Sequence, residues 1–132
     1  MIKVGDTIYL LQYIIKYGEI TGISSTAYNV ESIDEDREKA IVVESHGLKL
    51  PVSLFHVENQ TLLCREQQVA TDDITERYVW TTDIESGMKT MIEESIQVCN
   101  DTIKQFSELN QQLFDLYKNN LYTMGLTNKN AK

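Results

Sequence analysis

Proline and cysteine are nearly missing from this chain, which has one proline, Pro51, and two cysteines, Cys64 and Cys99, in 132 residues. Two thiols that far apart are not the dense disulfide framework of a small secreted domain, and they are expected to be reduced and buried. Basic charge is also short. Twelve Lys and Arg against 20 Asp and Glu leave a formal charge of −8. The deficit is even, with 5 basic and 9 acidic groups in residues 1–63 and 7 and 11 in residues 64–132. Neither half has the basic surplus that a phosphate backbone demands, so general nucleic-acid binding is disfavoured. No apolar run approaches the roughly 20 residues of a membrane-spanning helix. The opening stretch, MIKVGDTIYLLQYIIKYG, is apolar but is interrupted by Gly5, Asp6, Gln12 and Lys16. It lacks a charged leader region and a small-residue cleavage site, and the expectation is a cytoplasmic protein.

Catalytic signatures are lacking as well. His46 and His56 are the only histidines, and neither has a cysteine or carboxylate at metal-ligand spacing. There is no phosphate-binding loop, no dinucleotide-binding glycine pattern, no zinc-protease helix motif and no nucleophile elbow. No enzymatic activity, metal or cofactor is therefore expected. The acidic stretch ESIDEDREK (Glu31, Asp34, Glu35, Asp36, Glu38) lacks the mid-loop glycine of a calcium loop and reads as a solvated turn.

What is present divides into two halves. Residues 4–63 are rich in Ile, Val, Tyr and Thr, with glycines at 5, 18 and 22 at hairpin spacing. Tyr9, Tyr13 and Tyr17 recur at helical spacing, but the composition and glycines favour strands. In the first strand Ile8 and Leu10 share one face and Tyr9, Leu11 and Tyr13 the other, so both faces require cover. Further strands follow around Ile20 to Ile23, ahead of a Ser-Ser-Thr turn, then around Tyr28 to Ile33, Ala40 to Val43 and Leu48 to Leu50, and Pro51 is expected at a strand end or a sheet edge. About five short strands at this spacing indicate a small antiparallel barrel.

The layout VGDTIYLL…YGEITGI…YNVESI resembles the small SH3-like or KOW-like β-barrel modules of bacterial and phage proteins. The resemblance covers residues 4–63 and implies a module that contacts protein or RNA rather than an enzyme. The chain departs from the RNA-contacting kind at ESIDEDREK, where a basic loop would be required.

Residues 64–82 carry Glu66, Ala70, Ile74 and Tyr78 at i+4 steps, which predicts a short helix near 65–78 and a junction after it. Arg77, Tyr78 and Trp80 at that junction are candidate contacts for a ligand or partner. Thr82 and Glu85 form the pattern of a capping box ahead of a long helix over 83–121, within a segment 83–122, and residues 123–132 read as a flexible tail.

The long helix has a coiled-coil pattern. Heptad positions a hold Ile96, Ile103, Asn110 and Tyr117, and positions d hold Ile92, Cys99, Phe106 and Leu113. Positions e and g carry no charge pairs, and the apolar face widens beyond Asn110. Glu94, Asp101, Glu108 and Asp115 fall on the opposite side, too widely spaced to imitate a duplex phosphate array. About 39 helical residues span about 58 Å, whereas the other ~90 residues form a globule about 30–35 Å across. Such a helix cannot cover its whole apolar face on its own barrel. It either pairs between copies or breaks near Asn100–Thr102, and pairing is the stronger expectation.

The combined expectation is an α+β chain. A small antiparallel SH3-like barrel (1–63) leads to a short helix and junction (64–82), and then to a long coiled-coil-like helix. Its function is expected to be non-enzymatic: a homo-oligomeric adaptor or inhibitor that binds another protein, of the kind common among phage proteins. The alternative is an oligomer that captures a small ligand or nucleotide between protomers.

Overall fold

The computed structural model describes residues 1–69, 72–123 and 125. The chain is α+β, as its sequence indicates: a six-stranded antiparallel sheet curled into a half-barrel, followed by one long helix. The strands are β1 (Thr7–Lys16), β2 (Glu19–Asp34), β3 (Lys39–Glu44), β4 (Lys49–Ser53), β5 (Leu63–Val69) and β6 (Asp72–Thr81). A five-residue helix, α1 (Leu54–Glu58), joins β4 to β5, and α2 (Ile84–Thr123) follows β6. The spatial order is β4-β3-β2-β1-β6-β5, with consecutive hairpins everywhere except at the β1–β6 pairing, which closes about sixty residues of chain. Contacts divide the chain into two compact units, Met1–Ser95 and Ile96–Lys132.

The first unit is built around β1. Its alternation sends Ile8 and Leu10 to the concave face, where they meet Tyr28 and Val30 of β2, Ala40 and Val42 of β3, Val52 of β4 and Trp80 of β6. Ile2 and Val57 of α1 complete that core. Trp80 and Tyr28 pack edge to face with ring centroids 5.1 Å apart, a geometry worth about 0.5–1.5 kcal/mol beyond burial. The opposite face of β1 carries Leu11 and Tyr13, which pack with Val79 of β6 and Met91 of α2. Both faces of β1 are thus covered, as its two-sided apolar pattern requires. Pro51 lies in β4, at one edge of the sheet, where its missing N–H blunts the edge.

The expected helix near 65–78 is replaced by the β5–β6 hairpin, so the sheet extends past residue 63 to Thr81. The i+4 stripe that suggested a helix is outweighed by long-range pairing. Ile74 to Thr81 are rich in β-branched and aromatic residues, and β6 pairs with β1 along nearly its whole length. Ala70 lies outside the described residues. On the edge strand β5, Arg65 stands directly opposite Glu76 and pairs with it at 2.6 Å. This contact holds the guanidinium charged more firmly than usual through its hydrogen bond and charge interaction with Glu76.

The start of α2 also differs from expectation. Among the described residues Thr82 makes no capping bond, and Thr81 organises the turn instead. The Thr81 hydroxyl lies 2.7 Å from Gln60 Oε1 and 2.8 Å from the Asp83 carbonyl, and accepts the Asp83 N–H at 3.1 Å. Gln60 in turn donates to Ser86 Oγ at 3.0 Å, tying the segment after α1 to the first turn of α2. The helix runs unbroken through Asn100–Thr102, where the Thr102 hydroxyl donates to the Val98 carbonyl at 2.9 Å. Most of the expected tail, 123–132, lies outside the described residues.

Candidate functional site

The surface with the strongest claim to function is the apolar side of α2. From Met88 to Thr123 the helix contains neither glycine nor proline, so nothing local interrupts it. Gln97 donates to Asp101 at 2.9 Å and Gln111 to Asp115 at 3.1 Å, each across one helical turn on the polar side. Two of the acidic stripe's carboxylates are therefore engaged within the helix surface.

The helix uses different sides for different tasks. Met88, Met91 and Ser95 face the sheet: Met91 is fully buried, Met88 partly so, and Ser95 is buried with its hydroxyl lacking a hydrogen-bond partner. At 3.6 residues per turn this side lies about a quarter turn from the a/d stripe. The first members of the stripe are exposed, Ile92 at 38% and Ile96 at 56%. Every a and d residue named from the sequence, Ile92, Ile96, Cys99, Ile103, Phe106, Asn110, Leu113 and Tyr117, is exposed.

The magnitude is informative. Ile96, Ile103, Phe106, Leu109, Leu113, Phe114, Leu116 and Tyr117 are each 47–66% exposed on one continuous side. With on the order of 100 Å² of each side chain in water, they leave roughly 800 Å² uncovered. That exceeds the largest apolar patch of a typical monomer, about 300–600 Å². It also equals the roughly 800 Å² that each partner contributes to a standard interface. Lys118 lies over the Phe114 ring at 4.7 Å and screens only its rim of this surface.

Arg77, Tyr78 and Trp80 are not brought together. All three lie on β6, where alternation directs Tyr78 and Trp80 to the concave core and Arg77 to the opposite face. Trp80 is buried, and Arg77 donates to the Tyr13 hydroxyl at 3.0 Å. The placement of Trp80 is that of a core-closing side chain.

His46 lies in the exposed β3–β4 turn, and the N–H of His56 in α1 donates to Ser53 Oγ at the N-cap, at 3.5 Å. Among the described residues no group of three or more His, Cys, Asp or Glu side chains could hold a metal ion. Cys64 and Cys99 are both exposed rather than buried, and no disulfide joins them. Cys64 lies on an edge strand with only one neighbour, and Cys99 on the uncovered helix stripe, which is why an apolar side chain fails to find cover at either place. In the acidic turn, Asp34 accepts the Arg37 N–H at 3.3 Å and Glu31 pairs with Lys49 at 2.8 Å.

Two smaller features were not singled out from the sequence. A cavity of about 300 Å³ is walled by Met1, Ile2, Ile33, Leu54 and Phe55, with Glu35, Glu38 and Glu58 beside them. Phe55 is 58% exposed there. At the β1–β2 tip, Tyr17, Ile20 and Ile23 are exposed. The signal for this second patch was present in the sequence, since apolar residues flanking a Tyr17–Gly18 turn have little to pack against. The first depends on α1, whose five residues are too few to show periodicity.

No protein-family model matches this chain, and neither the curated proteins nor the solved structures contain a significant match. No helix among the described residues is long and apolar enough to cross a membrane.

Proposed function

We propose that this chain is a non-enzymatic, homo-oligomeric interaction protein, an adaptor or inhibitor in which α2 joins copies and the sheet module engages another protein. The observation that carries this reading is the uncovered apolar side of α2, continuous from Ile92 to Tyr117 and large enough for a standard interface. An exposed stripe of this size in water favours association, because each buried side chain of this kind contributes about 1.5–3 kcal/mol. Phe55 beside its cavity, and the Tyr17, Ile20 and Ile23 tip, supply apolar groups for a second protein. The acidic balance supports a protein partner over nucleic acid. Capture of a small ligand by Arg77, Tyr78 and Trp80 draws no support from their placement on opposite faces of β6.

The test is the solution mass by light scattering, measured beside an Ile103→Asp variant. The wild type is expected at a multiple of 15.2 kDa. The variant is expected to dissociate at least tenfold more readily while keeping its β-sheet signal, since a charge replaces an apolar seam residue. A wild type that stays at the mass of one chain at high concentration refutes the assembly role.

A further inference from the structure

The pattern of polar residues along α2 also specifies how two copies align. We infer that a second copy of this chain covers the exposed stripe with its helix parallel and in register. This inference rests on the assembly role proposed above and adds a direction to it.

Two members of the seam are polar amides. Asn110 occupies an a position, and continuing the same heptads places Asn120 at d. Both belong to α2, and both are exposed in the single chain. An amide buried in an apolar seam costs free energy unless a partner satisfies it. In a parallel pair, a residues meet a residues and d residues meet d residues. In register, Asn110 meets Asn110 and Asn120 meets Asn120 of the second copy, so each amide finds a donor and an acceptor. A parallel shift of one heptad instead places Asn110 against Ile103 or Tyr117.

Antiparallel pairs match a with d. Asn110 then faces Cys99, Phe106 or Leu113, depending on the alignment, and its amide has no amide opposite. One antiparallel alignment does seat Asn110 against Asn120. Its overlap is limited to residues 107–123 of each helix, and it leaves Ile96, Cys99, Ile103 and Phe106 bare.

The flanking positions agree independently. In a parallel pair each g residue lies beside the e residue five positions later in the partner helix. That places Leu109 beside Phe114 and Leu116 beside Leu121 of the second copy, apolar with apolar. It places Thr102 beside Ser107, small polar with small polar; Ser95, the first g residue, is buried in its own chain and takes no part. The charged stripe of Glu94, Asp101, Glu108 and Asp115 stays on the outside, so like charges do not meet in the seam. Because the first turns of α2 pack on the sheet, parallel helices tie both sheet modules to the same end of the pair. A partner with two matching surfaces would then bind both modules with a gain in avidity.

Cys99 reports on the direction, because it is a d residue on the exposed stripe. In the full chain carrying Cys64→Ser, copper-catalysed air oxidation of two apposed Cys99 thiols forms one disulfide, with two electrons and two protons passing to oxygen. A near-complete shift from the 15.2 kDa chain to twice that mass on a non-reducing gel is expected. A control chain with Asp101→Cys, Cys64→Ser and Cys99→Ser carries its thiol on the outer side and is expected to cross-link at least tenfold less. A second measurement mixes cysteine-free chains bearing Ile103→Cys with size-tagged ones bearing Leu113→Cys. Parallel helices give like-with-like products only. A 103-to-113 product, or a protein that is oligomeric by light scattering yet fails to cross-link at Cys99, overturns the parallel arrangement and leaves the assembly role intact. A single-chain mass in light scattering removes both.

Discussion

Gly87 sits where the first turn of α2 packs against Thr81 of β6. A Cβ there would stand 2.5 Å from Thr81 Cγ2 and 2.7 Å from Thr81 Cβ. Thr81 cannot easily yield, because its hydroxyl is held by Gln60 and Asp83. Gly87→Ala is therefore expected to destabilise the first unit by about 1–3 kcal/mol, despite the roughly 1 kcal/mol that alanine gains in an ordinary helix interior. The denaturant midpoint measures the net effect, and an unchanged or raised midpoint would show that the turn relaxes freely. Tyr28 makes a second prediction. Burial, and secondarily the Glu44 carboxylate, hold its phenol above the ordinary value. A neutral group with a raised folded-state pKa gives its full contribution below the unfolded value near 10 and loses it as pH climbs through the folded value. Wild-type stability should therefore fall more steeply than that of Tyr28→Phe between neutral pH and about pH 11. Parallel denaturation curves at both pH values would contradict this.

At the scale of elements, β6 and α2 each divide their residues between two environments. Strand β6 gives Tyr78 and Trp80 to the concave core and Val79 to the face covered by Met91. Helix α2 gives Met88, Met91 and Ser95 to the sheet and keeps its heptad stripe exposed. The part of α2 beyond Ser95 belongs to the second compact unit, and its apolar residues from Ile96 to Tyr117 are exposed. Helices in water depend on tertiary packing of an apolar face for most of their stability. Dilution below the association range is therefore expected to lower the far-UV helical signal while the β-sheet signal persists. A helical signal that is constant over several decades of concentration would mean that the segment holds itself together without a partner.

For the molecule as a whole, association of folded chains is linked to stability by mass action. The unfolding temperature of the helix should rise with protein concentration, and Ile103→Asp should abolish that dependence. Scanning calorimetry across a hundredfold concentration range checks this, and a concentration-independent wild type would contradict it. The two compact units also imply that unfolding need not be a single cooperative step. The sheet unit, with two covered faces on β1, is the one expected to unfold independently of concentration.

Local pattern alone determined much of this protein. The β-branched and aromatic stretches, hairpin glycines and alternation of Ile8, Leu10, Leu11 and Tyr13 located β1 and its faces, because strand period and turn chemistry are properties of neighbouring residues. The turn expected at Ser24 to Thr26 is instead continuous strand in β2, where these residues pair with β1. The heptads of α2 likewise named the stripe that is exposed in the fold. Tertiary structure decided the rest. The β5–β6 hairpin depends on the pairing of β6 with β1, about sixty to seventy positions away, and an i+4 coincidence around Ile74 hid it. Thr81 rather than Thr82 organised the start of α2 because its hydroxyl found Gln60, a partner distant in sequence. Arg77 and Trp80 were separated by the pleat as soon as their segment became a strand. Spacing along the chain specified which residues share a side, and only the packed sheet determined which sides it covered and which it left open.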